Sequence, residues 1–341
     1  MPLVLHPEAD LIPTHTTAAA SSVARWAAHH YDLAVEQCHL IRRGLNDNYA
    51  LRLVDGTRYV ARLYSIRPRG EFNIDFEVSL LTHLQAKGVG VAGAALTADG
   101  RTHVPLQFPE GRRALALFSH AQGAIPDTLE DFELTGRTLA HIHQGARDYA
   151  GPRSRYTLDG NHLIGRTLGY LQTYPELPAE LLRAYRLWTE RLLAELALAE
   201  CGLTQVVCHG DTHGFNNHVN ANSEGTKRAV FFDFDDAGPG FLAYDLSVLP
   251  WSYLFRKGLN EPDDLLRERW THYLHGYRAS GGEVSQHDLA ALPLFLQLRH
   301  LWNMGEAVGR LHHWGTSSAP VEWLKKQLEV CEAWRKLEFS A

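Results

Sequence analysis

The chain lacks the features that mark membrane, secreted and nucleic-acid-binding proteins. None of its 341 residues falls in an apolar run of about 18, the length a bilayer span requires, so no membrane partner is expected. The opening stretch MPLVLHPEADLIPTHTTAAA has no basic segment followed by an apolar one, which argues against an export signal. Cysteine is scarce: Cys38, Cys201, Cys208 and Cys331 form no CxxC pair, excluding a disulfide framework or a thiolate zinc site and fitting a cytoplasmic location. Positive charge is not in excess either. With 33 Lys and Arg against 39 Asp and Glu, the net charge of -6 gives no long-range attraction to nucleic acid. There is no internal repeat and no low-complexity tail. What remains is ordinary soluble composition, 45% hydrophobic and 21% charged. The length suffices for two domains of about 100 to 200 residues each.

Periodicity divides the chain. From Cys38 to Tyr64 the segments CHLIRR, YALRLV and RYVARLY read as strands, and Asp55-Gly56 supplies the positive-φ positions of a tight hairpin turn. An amphipathic helix is predicted over 72–87, with Phe76, Leu80, Leu81 and Leu84 at helical spacing and Gly88 beyond its end. Strands return at 102–108 and 113–119. The run AQGAIPD then breaks both periods, and helices follow over 129–144, 161–174 and 178–201. The expected architecture is α+β: an N-terminal lobe over 1–119, in which residues 1–35 form an extension or helix, and a mainly helical lobe over 120–341. Two short apolar strands, 205–208 and 228–234, interrupt the helices and flank a polar loop.

That loop carries the chemistry. In HGDTHGFNNHVN, His209, Asp211, His213, Asn216, Asn217 and His218 crowd into ten positions after an apolar strand. Further on, FFDFDDAG adds Asp233, Asp235 and Asp236 beside a second strand, so two strand ends can converge on one acidic pocket. Asp and Asn oxygens suit Mg2+ on nucleotide phosphates, and a separate Asp can orient a hydroxyl and accept its proton. Asp211 is the candidate base, Asn216 a metal ligand five residues on in the same loop, Asp233 the carboxylate bridging metal and phosphates, and His209 a loop-shaping residue.

HGDTHGFN, FFDFDD and the following YDLSVLPW together resemble the aminoglycoside phosphotransferase, choline kinase and homoserine kinase superfamily, whose catalytic loop runs H-G-D, four residues, then N. The resemblance extends from about Leu40 to Leu301 and implies a two-lobed protein-kinase-like fold, an antiparallel-sheet lobe with one helix followed by a helical lobe. It implies ATP and Mg2+ as cofactors, a nucleotide-covering loop at Gly44, Asn46 and Asn48, and Arg62 at the position of the family's strand lysine. Arginine departs from that lysine: it keeps the charge but is larger and planar. Glu77 would be its ion-pair partner, adenine would meet backbone from Leu117 to Ser119, and Asp235 and Asp245 would support the loop. The implied activity is transfer of the γ-phosphate to a hydroxyl of a small molecule such as an aminoglycoside, aminoalcohol, homoserine-like compound or sugar.

Other readings compete. Asp and Asn are common turn residues, and a helical Glu near an Arg is often a solvated pair, so the combination carries the claim rather than any single member. A Ser/Thr protein kinase of the same superfamily would use the same site. His209-Gly-Asp211-Thr-His213 also fits an H-x-D-x-H metallohydrolase. A nucleotide-binding protein without turnover is the third alternative. Asp235, Asp236, Glu261, Asp263 and Asp264 would suit a cationic acceptor. His141 and His143 read as structural, and the Trp and His tract from Trp302 to Trp314 as core or as a pocket lining. Oligomeric state is not legible.

Overall fold

The computed structural model describes residues 13–68, 70–221 and 225–339. By contacts the chain forms two compact units, Met1–Phe72 with Ala95–His120, and Asn73–Ala94 with Ala121–Ala341. No helix among the described residues is long and apolar enough to cross a membrane.

The first unit opens with α1 (Ala20–Tyr31), the part of the predicted 1–35 extension that is helical; residues 1–12 lie outside the described residues. Three antiparallel strands follow, β1 (Val35–Arg43), β2 (Asp47–Leu53) and β3 (Arg58–Tyr64). In β2 the sequence alternates, and Asp47, Tyr49, Leu51 and Leu53 all point inward, which fixes its register against neighbours. Gly56 has φ +86° in the predicted turn. After α2 (Ile74–Ala86) come the two-residue β4 (Ala94–Ala95), then β5 (Val104–Phe108) and β6 (Gly111–Ser119), giving the order β1-β2-β3-β6-β4 with β5 also on β6. Val23 and Ala27 of α1 pack with Tyr49, Leu51, Leu63, Leu115 and Leu117 as the core of this unit. From periodicity α2 is expected with the strands, whereas its contacts group it with the second unit.

The second unit is mainly helical: α3 (Leu129–Gly145), α4 (Arg166–Gln172), α5 (Ala179–Ala199), α6 (Leu242–Lys257), α7 (Asp264–Ala279), α8 (Gln286–Ala290), α9 (Leu292–Val308), α10 (Leu311–Trp314) and α11 (Val321–Trp334). Thr128 and Asp131 close a capping box that starts α3 where AQGAIPD ends the strand pattern. The predicted helix over 161–174 is instead a π-helical turn at Asn161–Gly165 leading into α4. Between α5 and α6 lie β7 (Gln205–Cys208) and β8 (Asn217–Ala221), then β9 (Lys227–Phe231) and β10 (Gly238–Phe241); β7 pairs with β10 and β8 with β9. Two of these strands depart from the expectation. Asn217–Ala221, read as loop because it is polar, is a strand satisfied by the β9 backbone. Gly238–Phe241, given no element by the sequence, is a strand whose Pro239 is tolerated because it pairs with β7 in a sheet of only two strands.

Helices α3 and α7 cross at glycines. A Cβ on Gly136 would collide with the Tyr273 carbonyl, and one on Gly276 with that of Glu133. Alanine at an exposed helix position would gain about 1 kcal/mol in propensity. Here the obstruction is backbone, which cannot rotate away, and overpacking costs about 1–3 kcal/mol. Gly136→Ala should therefore lower stability despite its better propensity, and urea unfolding of the two proteins checks the sign.

Candidate active site

The catalytic-loop candidate follows β7 directly. Its backbone is tied down by Asp245, fully buried in the first turn of α6. The amides of His209 and Gly210 donate to the two Asp245 oxygens at 2.7 and 2.8 Å, and the Thr212 hydroxyl donates to the Asp245 carbonyl at 2.5 Å. His143 of α3 donates from Nε2 to Asp245 at 2.9 Å while its Nδ1 accepts from the Tyr277 hydroxyl at 2.8 Å, the structural use expected of this histidine. Gly210 has φ +86°, and a Cβ there would fall against the Asp236 carbonyl, so only glycine lets the loop lie this close to FFDFDD.

His209 is the second tie. Its Nε2 donates to the Phe232 carbonyl at 3.1 Å and its Nδ1 accepts from the Asp211 amide at 3.2 Å, joining the loop to the segment that follows β9. The ring is fully buried against Phe231 and Phe234, and desolvation lowers its pKa, favouring the neutral form that can accept and donate at once.

These ties deliver the Asp211 carboxylate to a half-built cage. Oδ1 accepts from Arg299 Nη2 at 2.5 Å, and Oδ2 accepts from Asn216 Nδ2 at 3.0 Å with His213 Nε2 at 3.5 Å. The side chain remains 18% exposed, so a further donor can reach it. Desolvation pushes the carboxyl up, but the charge of the Arg299 guanidinium outweighs it and holds Asp211 below the usual carboxylate range.

Asn216 spends both amide hydrogens on Asp211, on its carbonyl and on Oδ2, each at 3.0 Å. Its Oδ1 is therefore the group left to ligate. The Phe232 amide donates to the Asn216 carbonyl at 3.0 Å, which brings Asn216 within one residue of Asp233 across the hairpin. Asp233 has φ +71°; apart from Asp32, the residue that caps α1, it is the sole described non-glycine in the left-handed region, a strain often stored at functional positions. A carboxamide oxygen and a carboxylate form a hard donor set of the kind Mg2+ accepts, the remaining positions falling to phosphate and water. A metallohydrolase centre is not supported: no group of three His, Cys, Asp or Glu among the described residues is placed to hold a metal, because His209 is committed to backbone partners.

Of the other expected residues, Asp235 is 8% exposed, and its carbonyl accepts from the Tyr156 hydroxyl. Asp263 caps α7 through the Leu266 amide and also accepts from the Tyr253 hydroxyl, so this acid has a structural task and does not argue for a cationic acceptor. Glu77 lies on α2, 1% exposed, in the second unit. In the first unit Asn48 stands opposite Arg62 in the β2–β3 ladder, Arg62 lies over the rings of Tyr64 and Phe118, and Asn46 Oδ1 accepts from the Ser65 amide at 3.2 Å beside Gly44. Leu117 is wholly buried in the core of the first unit and Ser119 half-buried at the end of β6.

Arg299 escaped the sequence reading. Its signal was a lone guanidinium inside LFLQLRHLW, an otherwise apolar helix in which a charge needs a buried partner.

Replacing Asp245 by asparagine would turn an amide NH2 toward one of the two loop N–H groups, and two donors would then face each other. Asp245→Asn should cost about 2 kcal/mol of stability and reduce turnover, measured by thermal unfolding and initial rates.

An uncharacterised protein of Deinococcus radiodurans is 33% identical over 328 residues, covering 94% of this chain and 92% of its own. A homoserine kinase of Brucella anthropi is 28% identical over 257 residues, 73% of this chain and 71% of its own. Among solved structures, amicoumacin kinase hAmiN in complex with AMP-PNP, Ca2+ and Ami superposes with a TM-score of 0.73 at 22% identity, covering 94% of this chain and 96% of that one, which shows a shared kinase-like fold. A model of the phosphotransferase enzyme family matches residues 39–283, and the chain belongs to that family of kinase-like small-molecule phosphotransferases.

Proposed function

We propose that the protein moves the γ-phosphate of ATP to a hydroxyl group of a small molecule, with Asp211 as the base. The observation that carries this is the Asp211 carboxylate itself, held at both oxygens by Arg299 and Asn216 yet still open on one side, on a loop whose Asn216 carbonyl accepts from the Phe232 amide, one residue before Asp233. Family membership supports phosphotransfer, and the Brucella relative named as a homoserine kinase supports a small acceptor over a protein.

In this proposal Asp211 accepts a hydrogen bond from the acceptor hydroxyl, aims its oxygen at phosphorus, and takes the proton as the new O–P bond forms and the bond to the β-phosphate oxygen breaks. Mg2+ held by Asn216 and Asp233 would neutralise charge developing on the phosphates. Gly44, Asn46 and Asn48 are assigned to the phosphates through backbone amides, Arg62 and Glu77 complete the nucleotide set, and Leu117 to Ser119 offer backbone to adenine. Asp211 is a weak base because Arg299 lowers its pKa. This suits a loose transition state, in which the hydroxyl proton leaves late and orientation contributes more than basicity.

The test is ADP release with ATP and Mg2+ over aminoglycosides, choline-like aminoalcohols, homoserine, small sugars and a generic protein, with Asp211→Asn as control. Release that depends on one small-molecule class and vanishes in the variant is expected. Turnover with the protein alone would overturn the small-molecule acceptor. No turnover, with no thermal shift on adding ATP, would overturn the kinase reading.

A further inference from the structure

Asp211 is not positioned by its own loop alone. Arg299 reaches it from α9, and the surroundings of that guanidinium are unusual. The side chain is 2% exposed and lies in a slot between two indoles, its Cζ 4.6 Å from the Trp251 ring centre and 4.4 Å from that of Trp302. Such cation–π contacts are strongest when water is excluded. Each indole is held at a set tilt by its own N–H: Trp251 donates to His300 Nδ1 at 3.2 Å, and Trp302 donates to His162 Nε2 at 3.2 Å. Burial lowers the His300 pKa to about 4, so its Nδ1 stays an acceptor, while Nε2 donates to Gln327 at 2.9 Å. The slot is thus braced on both walls by buried hydrogen bonds.

From it, the guanidinium makes a forked contact. Nη2 donates to Asp211 Oδ1, and Nη1 donates to the Gly210 carbonyl and to the Tyr244 hydroxyl, both at 3.2 Å. One planar group therefore fixes the carboxylate and the peptide preceding it together, which a point charge such as lysine cannot do. The arrangement is costly for stability alone. Arg299 Nε has no hydrogen-bond partner among the described residues, and a buried charge left partly unsatisfied is seldom retained where an apolar side chain would fill the volume. The cost is explained if the fork serves the base.

We propose that Arg299, clamped between Trp251 and Trp302, is a positioning residue that sets the orientation of the Asp211 carboxylate for attack by the acceptor hydroxyl. This rests on Asp211 acting as the base. A displacement of the carboxylate by about 1 Å is enough to lower turnover by about 10²-fold.

The experiment is a double-substitution cycle on the full chain with the acceptor that wild type turns over. Arg299→Met should lower kcat by about 10²-fold while the KM for ATP stays within about twofold, because the fork touches the base. Arg299→Lys should lose nearly as much, since it keeps the charge but not the fork. In an Asp211→Asn background neither substitution should lower kcat further. In Arg299→Ala, added methylguanidinium should restore part of the lost turnover by entering the slot. Arg299→Met losing as much in the Asp211→Asn background as in wild type, or raising the KM for ATP in proportion, would show a merely structural role and overturn the proposal. Wild-type turnover that Arg299→Met and Arg299→Lys leave intact would overturn it also, without touching the kinase reading; wild-type inactivity towards every acceptor sinks both. Should Arg299→Met fail to fold, Arg299→Lys and the rescue of Arg299→Ala decide.

Discussion

Replacing Asp211 by asparagine should lower kcat by about 10²-fold or more while ATP affinity stays near that of wild type. The two effects separate because of what Asp211 touches. Its oxygens face Arg299, Asn216 and His213, so the substitution removes the proton acceptor without removing a residue assigned to the nucleotide. A stability loss should accompany it. Both Oδ1 and Oδ2 accept from protein donors, so either rotamer of the new amide turns an NH2 toward another donor, and the buried Arg299 charge loses its anion. Hydrogen bonds to charged groups contribute about 1.5–3 kcal/mol, and a loss of that order is expected. Asp233→Asn should behave differently. It weakens a carboxylate assigned to the metal, so its rate should recover with added Mg2+ while that of Asp211→Asn does not. Rates measured against Mg2+ concentration for both variants make the comparison, and identical Mg2+ dependence would count against the division of roles.

Much of this site was legible because its residues are contiguous. Asp211 and Asn216 share one loop, and Asp233 follows a short apolar strand that any reading of periodicity finds. The β8–β9 hairpin that joins them was half seen: β9 is apolar, but Asn217–Ala221 carries polar side chains on a strand held by backbone pairing, which side-chain periodicity does not report. Gly238–Phe241 was missed for a related reason, since Gly and Pro signal turns unless an edge position removes the need for an N–H donor. Arg299 lies 88 positions from Asp211 in the chain, and no local pattern links them; only packing of α9 against the loop does. At Asp263 a charge has a local structural use. Read as charge it suggests a cationic ligand, yet Asp263 is a helix cap, and capping is a local signal that was present in the spacing of Asp263 and Leu266.

The largest stability effect is expected outside the catalytic loop, at Asp47. This carboxylate begins β2, between Asn46 and Asn48, and is fully buried with Arg113 of β6. Arg113 Nη2 donates to Asp47 Oδ2 at 3.0 Å and to the Leu63 carbonyl at 3.1 Å, its Nε to the Tyr64 carbonyl at 2.9 Å, and its Nη1 to the Thr16 carbonyl at 2.5 Å. His15 Nε2 meets Asp47 at 2.9 Å, and the Thr16 amide donates to Glu110 at 2.9 Å, so the segment before α1 is fastened to the same cluster. Asp47→Ala leaves a buried guanidinium without its anion, and breaking such a pair costs about 3–5 kcal/mol. Replacing both partners, Asp47→Leu with Arg113→Met, should recover much of that loss, because no unpaired charge remains. The pH dependence gives an independent check. Desolvation raises the Asp47 carboxyl, but the hydrogen bonds and charges of His15 and Arg113 prevail and hold it below its ordinary value. A carboxylate depressed in the folded state binds its proton more readily when unfolded. Its contribution is therefore complete above about pH 4, the unfolded value, and is lost as pH falls through the lower folded value. Wild type should lose stability steeply in that acid range and Asp47→Ala less so, read from urea midpoints of the transition that reports the first unit. Equal acid slopes in the two proteins would mean that the Arg113 pair does not govern this carboxylate.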